Sequence, residues 1–320
     1  MKVNRQPQLA KSEVIRQIPL ACQHEDAAVE FLEQQRWGDS PCCVWCGSTN
    51  VYKMMDAATG ARNKRYLWRC RDCKKQYTVR IGTVYEESRI ELRHWCYAFW
   101  RAATSKKGVA ALEIMRQCQI SYKAALFLMH RIRWAMAPDH KTAPKLKGVV
   151  EADETYVGGK PRPMQGFEKR KWNTNKTPVF AVVQRGGDIR VRTMTAVKGA
   201  NVREALTELV DPKSRLMTDE NLVYRPIGRE FKGGHETVNH SIDEYAREDV
   251  TTNTVEGFFA TLKRGLNGIY HAVSKEHLHR YCAEFEFRYN ARKMNDGDRT
   301  VLAIQSAEGK RLMYKSPAGC

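Results

Sequence analysis

The sequence predicts a multidomain chain: a small zinc ribbon, a helical helix-turn-helix domain, and an α/β domain with a mixed sheet flanked by helices. Two C-x-x-C pairs lie in a segment rich in cysteines and turn residues, and a proline-free segment rich in Ala, Leu and aromatic residues follows it. From Gly148 onward, β-type runs alternate with helical runs, as in a sheet covered by helices. The predicted parts are a helical lead-in at 1–35, the ribbon at 36–82, the helical domain at 83–140, the α/β domain at 141–300 and a C-terminal tail at 301–320.

Length, composition and charge narrow the class of protein. A chain of 320 residues with 42% hydrophobic residues is long and apolar enough for two or three folded domains. The 54 Lys and Arg residues outnumber the 36 Asp and Glu residues, which gives a net charge of +18 and favours an anionic polymer as partner over a small neutral substrate. The sequence contains no apolar run of about 18 residues, which argues against a membrane span. The first residues lack the apolar run of a secretory signal, so we expect a cytoplasmic protein.

The first domain is predicted from its cysteines. Cys43 and Cys46 form one pair, and Cys70 and Cys73 form another after an interval of 23 residues. Two such thiolate pairs on two turns supply the four tetrahedral ligands of one structural Zn²⁺. A redox pair or buried free thiols are the alternatives. Cys42 adjoins the first pair, but only Cys43 has the C-x₂-C spacing to Cys46.

Residues 107–136 predict two helices joined by a turn at 117–120, with Ser121 as the N-cap of a second helix that runs from Tyr122 to about Met136. In a helix-turn-helix the N-terminal end of the second helix meets base edges, and later residues meet phosphates. The candidates for base edges are Ser121, Tyr122 and Lys123, and the candidates for phosphates are Arg131 and Arg133. A helical hairpin that binds nothing is the alternative.

Acidic residues at three places predict a site for divalent cations. Glu151 and Asp153 share one face of a predicted strand, and Asp219 lies at the end of another. Glu256 lies on a predicted helix, with Lys263 two turns further on nearly the same face. Carboxylates that converge from two strands and a helix can hold hard cations, which prefer oxygen ligands.

Each carboxylate also has a structural alternative. Asp219 can cap the segment that follows it, and Glu256 occupies the position of a capping-box glutamate after Asn253. Glu151 and Asp153 can pair with Lys or Arg of a neighbouring strand. The order of the acids along the chain, behind two segments suited to DNA, favours metal binding over these alternatives.

Three segments of the sequence are similar to a known family. They are C-x-x-C-G-S…Y-x-W-R-C-R-D-C-K-K-Q-Y-T-V-R-I-G-T, E-A-D-E-T-Y-V-G-G and T-N-T-V-E-G-F-F-A-T-L-K-R. Together they resemble bacterial insertion-sequence transposases in which an N-terminal zinc ribbon precedes a DDE-type, RNase H-like catalytic domain. The resemblance covers roughly residues 25–295.

The resemblance implies an RNase H-like sheet with an Asp-Asp-Glu triad and two Mg²⁺ or Mn²⁺ ions. It assigns the triad to Asp153, Asp219 and Glu256 and the companion lysine to Lys263. Relatives often have a histidine just before the T-N-T-V-E run, whereas this chain has Thr252 there. The nearest histidines upstream are His235 and His240, which we consider as supporting groups.

A basic loop is predicted between the first two strands of the α/β domain, at 158–176. Its basic residues include Lys160, Arg162, Lys169, Arg170 and Lys171, and Trp172 follows them. The functional interpretation is phosphate contact with DNA, with Trp172 stacking on an unpaired base. A solvated loop is the alternative.

The sequence therefore leads to the hypothesis of a Mg²⁺-dependent DNA transposase that binds the ends of an insertion sequence, cleaves them and joins the 3′-OH to target DNA. Its partners would be double-stranded DNA and further copies of itself, at least a dimer on DNA, at the nucleoid. Two other functions remain open, namely a non-catalytic, sequence-specific DNA-binding regulator derived from a transposase and a structure-specific nuclease.

Overall fold

The computed structural model describes residues 11–159, 162–163, 172–173, 176–244 and 246–313. The chain divides into two compact units, which are described separately. The N-terminal unit consists of Met1–Met136 and Met294–Cys320, and the sheet unit consists of Ala137–Lys293.

The described helices are α1 (Lys11–Gln23), α2 (Glu25–Trp37), α3 (Leu92–Thr104), α4 (Ala111–Cys118), α5 (Tyr122–Met136), α6 (Gly199–Leu209), α7 (Tyr224–Gly228), α8 (Asn253–Gly265), α9 (Leu278–Asn290) and α10 (Asp296–Gln305). The described strands are β1 (Val51–Lys53), β2 (Trp68–Cys70), β3 (Gln76–Tyr77), β4 (Val149–Val157), β5 (Arg162–Pro163), β6 (Trp172–Asn173), β7 (Thr177–Gln184), β8 (Ile189–Thr193), β9 (Arg215–Thr218), β10 (His235–Thr237), β11 (Ala246–Arg247) and β12 (Val250–Thr251).

In the N-terminal unit a small antiparallel sheet, β1–β2–β3, is held against α2. The ring of Trp37 meets the rings of Trp68 and Tyr77 edge to face, with centroids 5.6 and 5.8 Å apart. Glu33 of α2 is buried and accepts hydrogen bonds from Trp68 Nε1 at 2.7 Å and from Arg62 Nη1 at 2.9 Å. A buried carboxylate needs such partners to offset its lost hydration. Helix α2 therefore belongs with the cysteine-bearing sheet.

Helices α4 and α5 form the predicted pair of helices. Helix α4 begins at Ala111, four residues later than predicted, and Gly108 before it has a positive φ of 101°. Helix α4 ends where Gln119 takes the left-handed conformation, and Ser121 Oγ accepts a hydrogen bond from Ala124 N at 3.2 Å. Helix α5 has the predicted bounds, because its cap and its apolar face are both local features of the sequence.

The two arginines predicted to contact phosphate are buried in the N-terminal unit. Arg131 is 6% exposed and donates to the carbonyls of Val84, Glu86 and Leu312 at 2.9–3.0 Å. Arg133 is 1% exposed. This burial contradicts the predicted phosphate contacts, because a guanidinium turned into the core cannot reach DNA. The charge of a residue on a helix does not reveal which face the helix buries.

The sheet unit contains a five-stranded mixed sheet in the order β10-β9-β4-β7-β8. Strand β7 is antiparallel to both β4 and β8, whereas β9 is parallel to β4 and β10 is parallel to β9. Both faces are covered, by α6 and α7 on one side and by α8 and α9 on the other. Strand β7 lies between β4 and β8, so both of its faces are covered and have to be apolar. This explains its continuous run TPVFAVVQ.

The predicted basic loop is only partly described. Lys160, Lys169, Arg170 and Lys171 lie outside the described residues. Arg162 and Trp172 belong to the short antiparallel pair β5–β6.

Among the helices of the described ranges, none is long and apolar enough to cross a membrane.

Candidate metal and catalytic sites

The four predicted zinc ligands converge. The Sγ atoms of Cys43, Cys46, Cys70 and Cys73 all lie within 4.8 Å of one another. The Cys43–Cys73 and Cys46–Cys70 Sγ pairs are 3.6 and 3.7 Å apart. A tetrahedral site with Zn–S bonds of about 2.3 Å needs sulfurs about 3.8 Å apart. The cysteine cluster therefore fits one structural Zn²⁺.

Local backbone geometry brings the two cysteine pairs into this arrangement. The residue after each pair has a positive φ, 75° at Gly47 and 62° at Lys74. Each loop thus turns back tightly, which a glycine does at the lowest cost. Asp72 joins the two loops by accepting hydrogen bonds from the side chains of Ser48 and Asn50. Cys42 is outside the cluster, as its spacing predicted.

The two predicted aspartates lie side by side at one end of the mixed sheet. Strands β4 and β9 are parallel, and their last paired residues are Glu151 and Met217. Asp153 and Asp219 each lie two positions further along. The side chains of Val150 and Ala152 face the core on the α6 side, so the alternation of β4 directs Asp153 toward the α8 side.

Glu256 in the first turns of α8 faces the same region. Thr252 Oγ1 donates to Glu256 Oε1 at 2.6 Å, and His240 Nε2 lies 3.3 Å from the same oxygen. Burial raises the pKa of Asp219, and the nearby His240 offsets a small part of this rise. The imidazole that the sequence lacks at position 252 thus reaches the acidic residues from the 3₁₀ turn His240–Ile242. His235 instead contacts Thr218 Oγ1 through Nε2, at 3.0 Å.

Burial and mutual repulsion perturb the carboxylates at this end of the sheet. Desolvation raises the pKa of Asp153 to about 7, and the nearby charges of Asp219, Glu154 and Glu256 add to the rise. Burial also raises the pKa of Asp219 and of Glu154. A raised pKa means that the ionised form of each carboxylate is disfavoured. A divalent cation bound beside these carboxylates would stabilise the ionised form.

The acids are less tightly grouped than the four cysteines. Within the described ranges, only the four cysteines bring three or more ligand atoms within 4.8 Å of one another. Carboxylate oxygens are nevertheless the ligands that hard divalent cations prefer, so the chemistry of the donor set fits such cations.

The sequence left a structural role, helix capping or ion pairing, open for each acid, and the structure gives the helix-capping role to a different acid. Glu151, rather than Glu256, accepts from the first-turn amides of α8, at Thr254 and Val255. Glu151 also pairs with Arg185, just after β7, as the alternative from the sequence allowed. Asp219 accepts a local hydrogen bond from Asn221 N at 3.2 Å.

Other predicted residues lie at the surface. Ser121, Tyr122 and Lys123 are exposed at the start of α5, where a recognition helix would meet base edges. Lys263 is exposed on α8, seven residues after Glu256.

Two residues of the acidic region, Glu154 and Arg185, were not predicted from the sequence, and neither was the close approach of His240 to Glu256. Glu154 adjoins Asp153 in the E-A-D-E run, and this run of acids was the available signal. Arg185 and His240 carry no local signal, because the fold brings them to the site.

Comparisons with known proteins agree with the resemblance of the motifs. Residues 145–290 match the family of ISXO2-like transposase domains, and residues 23–76 match that of transposase zinc-ribbon domains. A Halobacterium salinarum protein, described as an uncharacterized protein in transposable element ISH50, is 28% identical over 277 residues, which are 82% of this chain and 90% of that protein. The family resemblance predicted from the sequence is confirmed.

Two solved structures, a pre-cleavage Mos1 transpososome and a Mos1 strand transfer complex, align with 64% of this chain and 75% of theirs. Their identities are 14% and 12% and their TM-scores 0.26 and 0.23. Similarity at this level does not establish a shared fold or function.

Replacing Cys70 and Cys73 by serine should abolish zinc binding and unfold the ribbon, because the small sheet has little core of its own. Metal analysis of the purified protein measures the effect. Cys42→Ser is the matched control and should retain one zinc per chain. Stoichiometric zinc in the double variant would contradict the four-cysteine assignment.

The raised pKa of Asp153 predicts a pH-dependent stability in zinc-loaded protein without Mg²⁺ or Mn²⁺. The carboxyl titrates near pH 4 when unfolded and near pH 7 when folded, so folding favours its protonated form. The free energy of unfolding should fall as the pH rises from about 4 to about 7. Asp153→Asn should reduce this fall, to which Asp219 and Glu154 also contribute, and be more stable than the wild type by about 2–4 kcal/mol at pH 8, with little difference at pH 4. Urea unfolding at both pH values measures it, and an equal difference at both would contradict the assignment.

Proposed function

Because the chain carries a transposase zinc-ribbon domain followed by an ISXO2-like transposase domain, we propose that it is the DNA transposase of an insertion sequence. It would bind the ends of the element, cleave them and join the freed 3′-OH to target DNA. A regulator without catalysis would not need several partly buried acids that repel one another. The observation that supports the proposal best is that Asp153 and Asp219 each lie two residues beyond the last paired residues of the parallel strands β4 and β9, with Glu256 near enough for its charge to act on Asp153.

The proposed fold of the catalytic unit is RNase H-like. The first three strands of the sheet, β4, β7 and β8, form an antiparallel meander, and β9 and β10 continue in parallel beside β4. This strand order and the helices on both faces support the proposal. The first acid then lies on the central strand, where two neighbouring elements can supply the others.

Asp153, Asp219 and Glu256 would hold two Mg²⁺ ions, or Mn²⁺ in their place. When bound, such ions stabilise the attacking and leaving oxygens of an in-line displacement at phosphorus. Thr252 and His240 fix the orientation of the Glu256 carboxylate by contacting its Oε1 atom. Lys263, on the exposed surface of the same helix, would contact the DNA backbone.

DNA binding is assigned to other surfaces of the chain. The exposed start of α5, with Ser121, Tyr122 and Lys123, would read base edges. The basic loop at 158–176 would contact phosphates without sequence preference. Since two ends of the element have to be joined, the active form would be at least a dimer on DNA, at the nucleoid.

Asp153→Asn, Asp219→Asn and Glu256→Gln should each abolish cleavage and joining while leaving binding to the ends of the element nearly unchanged. Losing one ligand removes the charge that holds a cation, and even about 1.4 kcal/mol of lost barrier reduction is a tenfold loss of rate. A strand-transfer assay with labelled end DNA measures the activity, and a gel-shift assay measures binding.

Asp188→Asn is the matched control for the triad, because it removes an exposed carboxylate from the same unit. It should leave cleavage and joining unchanged. Cleavage without joining in the wild type would indicate a nuclease, and neither reaction would indicate a regulator. Retained activity in Asp153→Asn would contradict the triad.

Lys123→Ala should weaken binding to the ends of the element by about 1–3 kcal/mol and leave non-specific binding little changed. Replacing Lys169, Arg170 and Lys171 should weaken binding to all sequences and reduce its salt dependence. Lys213→Ala, at an exposed turn of the sheet unit, removes one charge as a control. Binding titrations at several salt concentrations, with end DNA and unrelated DNA, measure these effects. A loss of specificity in the loop variant but not in Lys123→Ala would reverse the two roles.

A further inference from the structure

Strand β4 carries two acids besides Asp153, and each of them contacts an element that bears another member of the triad. Glu151 contacts α8, the helix of Glu256. Glu154 contacts the segment that follows Asp219. The two accessory acids point to opposite faces of the sheet, because their positions on the strand differ by an odd number.

The contacts of Glu151 fix the beginning of α8. The carboxylate is fully buried and accepts from Thr254 N at 2.8 Å, Val255 N at 3.2 Å and Thr254 Oγ1 at 2.8 Å. These are the amides that a helix leaves without an intrahelical partner, and a carboxylate there also interacts favourably with the helix dipole. Glu256 lies one residue beyond the second of these amides.

Arg185 completes this arrangement. Its Nε donates to Glu151 Oε1 at 2.9 Å, and its Nη atoms donate to the carbonyls of Asp249 and Thr251 at 2.8 and 3.3 Å. Arg185 thus attaches the chain that enters α8 to the same carboxylate that binds the first turn of the helix. The buried carboxylate of Glu151 is stable because an ion pair with the partly exposed Arg185 and several hydrogen bonds satisfy it.

Glu154 has the corresponding contacts on the other face. It accepts from Asn221 Nδ2 at 2.6 Å and from the hydroxyl of Tyr224, whose side chain is fully buried. Asn221 in turn donates through its backbone N–H to Asp219 Oδ1 at 3.2 Å. The chain around Asp219 is thereby fixed to β4.

We infer that Glu151 and Glu154 are positioning residues that set the distances of Glu256 and Asp219 from Asp153. The inference rests on the proposed function in that the three acids are taken as the cation ligands. Like charges at the site repel one another, so a metal-free site held by weaker contacts would open. The carboxylates of the two accessory acids oppose this opening through contacts that do not themselves involve the carboxylate oxygens of the triad.

The test uses the full zinc-loaded chain with Glu151→Gln and Glu154→Gln. Glutamine keeps the size of each side chain but cannot accept at both terminal atoms, and at position 151 it also loses the charge that pairs with Arg185. The measurement is the Mn²⁺ concentration that gives half-maximal strand transfer. We expect it to rise at least tenfold in both variants, with activity recovered at high Mn²⁺, whereas Asp153→Asn stays inactive at every concentration.

Glu286→Gln is the matched control. Glu286 lies on α9 and is a buried carboxylate of the same unit. It accepts a hydrogen bond from Val191 N at 3.0 Å and contacts His140 Nε2 at 2.8 Å. It should lower the melting temperature but leave the half-saturating Mn²⁺ concentration within twofold of the wild type. An equal rise in this control, or a rise below threefold in both test variants, would overturn the inference.

Amide hydrogen exchange of the metal-free protein separates this inference from the proposed function. Glu151→Gln should speed the exchange of Thr254 and Val255 at least tenfold, and Glu154→Gln should do so at Asn221–Tyr224. Unchanged exchange at both places would overturn the positioning roles even if the wild type joins DNA. If the wild type shows no strand transfer but the exchange changes as expected, the proposed function fails and the positioning roles stand.

Discussion

The carboxylate of Glu151 and the guanidinium of Arg185 meet where the mixed sheet, the chain that enters α8 and the first turn of α8 come together. The fully buried carboxylate of Glu151 could not be buried alone, because it would lose its hydration without compensation, whereas Arg185 is partly exposed. Together they satisfy helix amides, two backbone carbonyls and each other. The position of Glu256 depends on this contact, since α8 begins on it.

The acidic region has a cost to the stability of the folded protein. Burial and mutual repulsion raise the pKa of Asp153 and of Asp219, so the folded metal-free protein is disfavoured when these groups ionise. Under the proposed function, the same repulsion would favour the binding of a divalent cation. Thr252 and His240 hold Glu256, and Glu154 holds the segment that follows Asp219.

The N-terminal unit shows that a net charge of +18 is not all available to a polyanion. Arg131 and Arg133 are buried, and Arg131 stabilises loop carbonyls instead of facing solvent. In contrast, Lys123 is exposed at the start of α5. The positive charge that can meet a polyanion is therefore smaller than the composition suggests.

Local patterns were enough to predict the cysteine cluster, the bounds of α5 and the mixed sheet with its helices, because spacing, caps and periodicity depend on neighbouring residues. They also identified the acids of the triad as candidates. Only the tertiary structure decided that Glu151 rather than Glu256 caps α8, that His240 reaches the acids, and that Arg131 is buried. Each of these depends on which faces and segments meet, since Glu151 and Thr254 are 103 residues apart. The packing of α10 in the N-terminal unit has the same cause, because no local pattern records which core a helix joins.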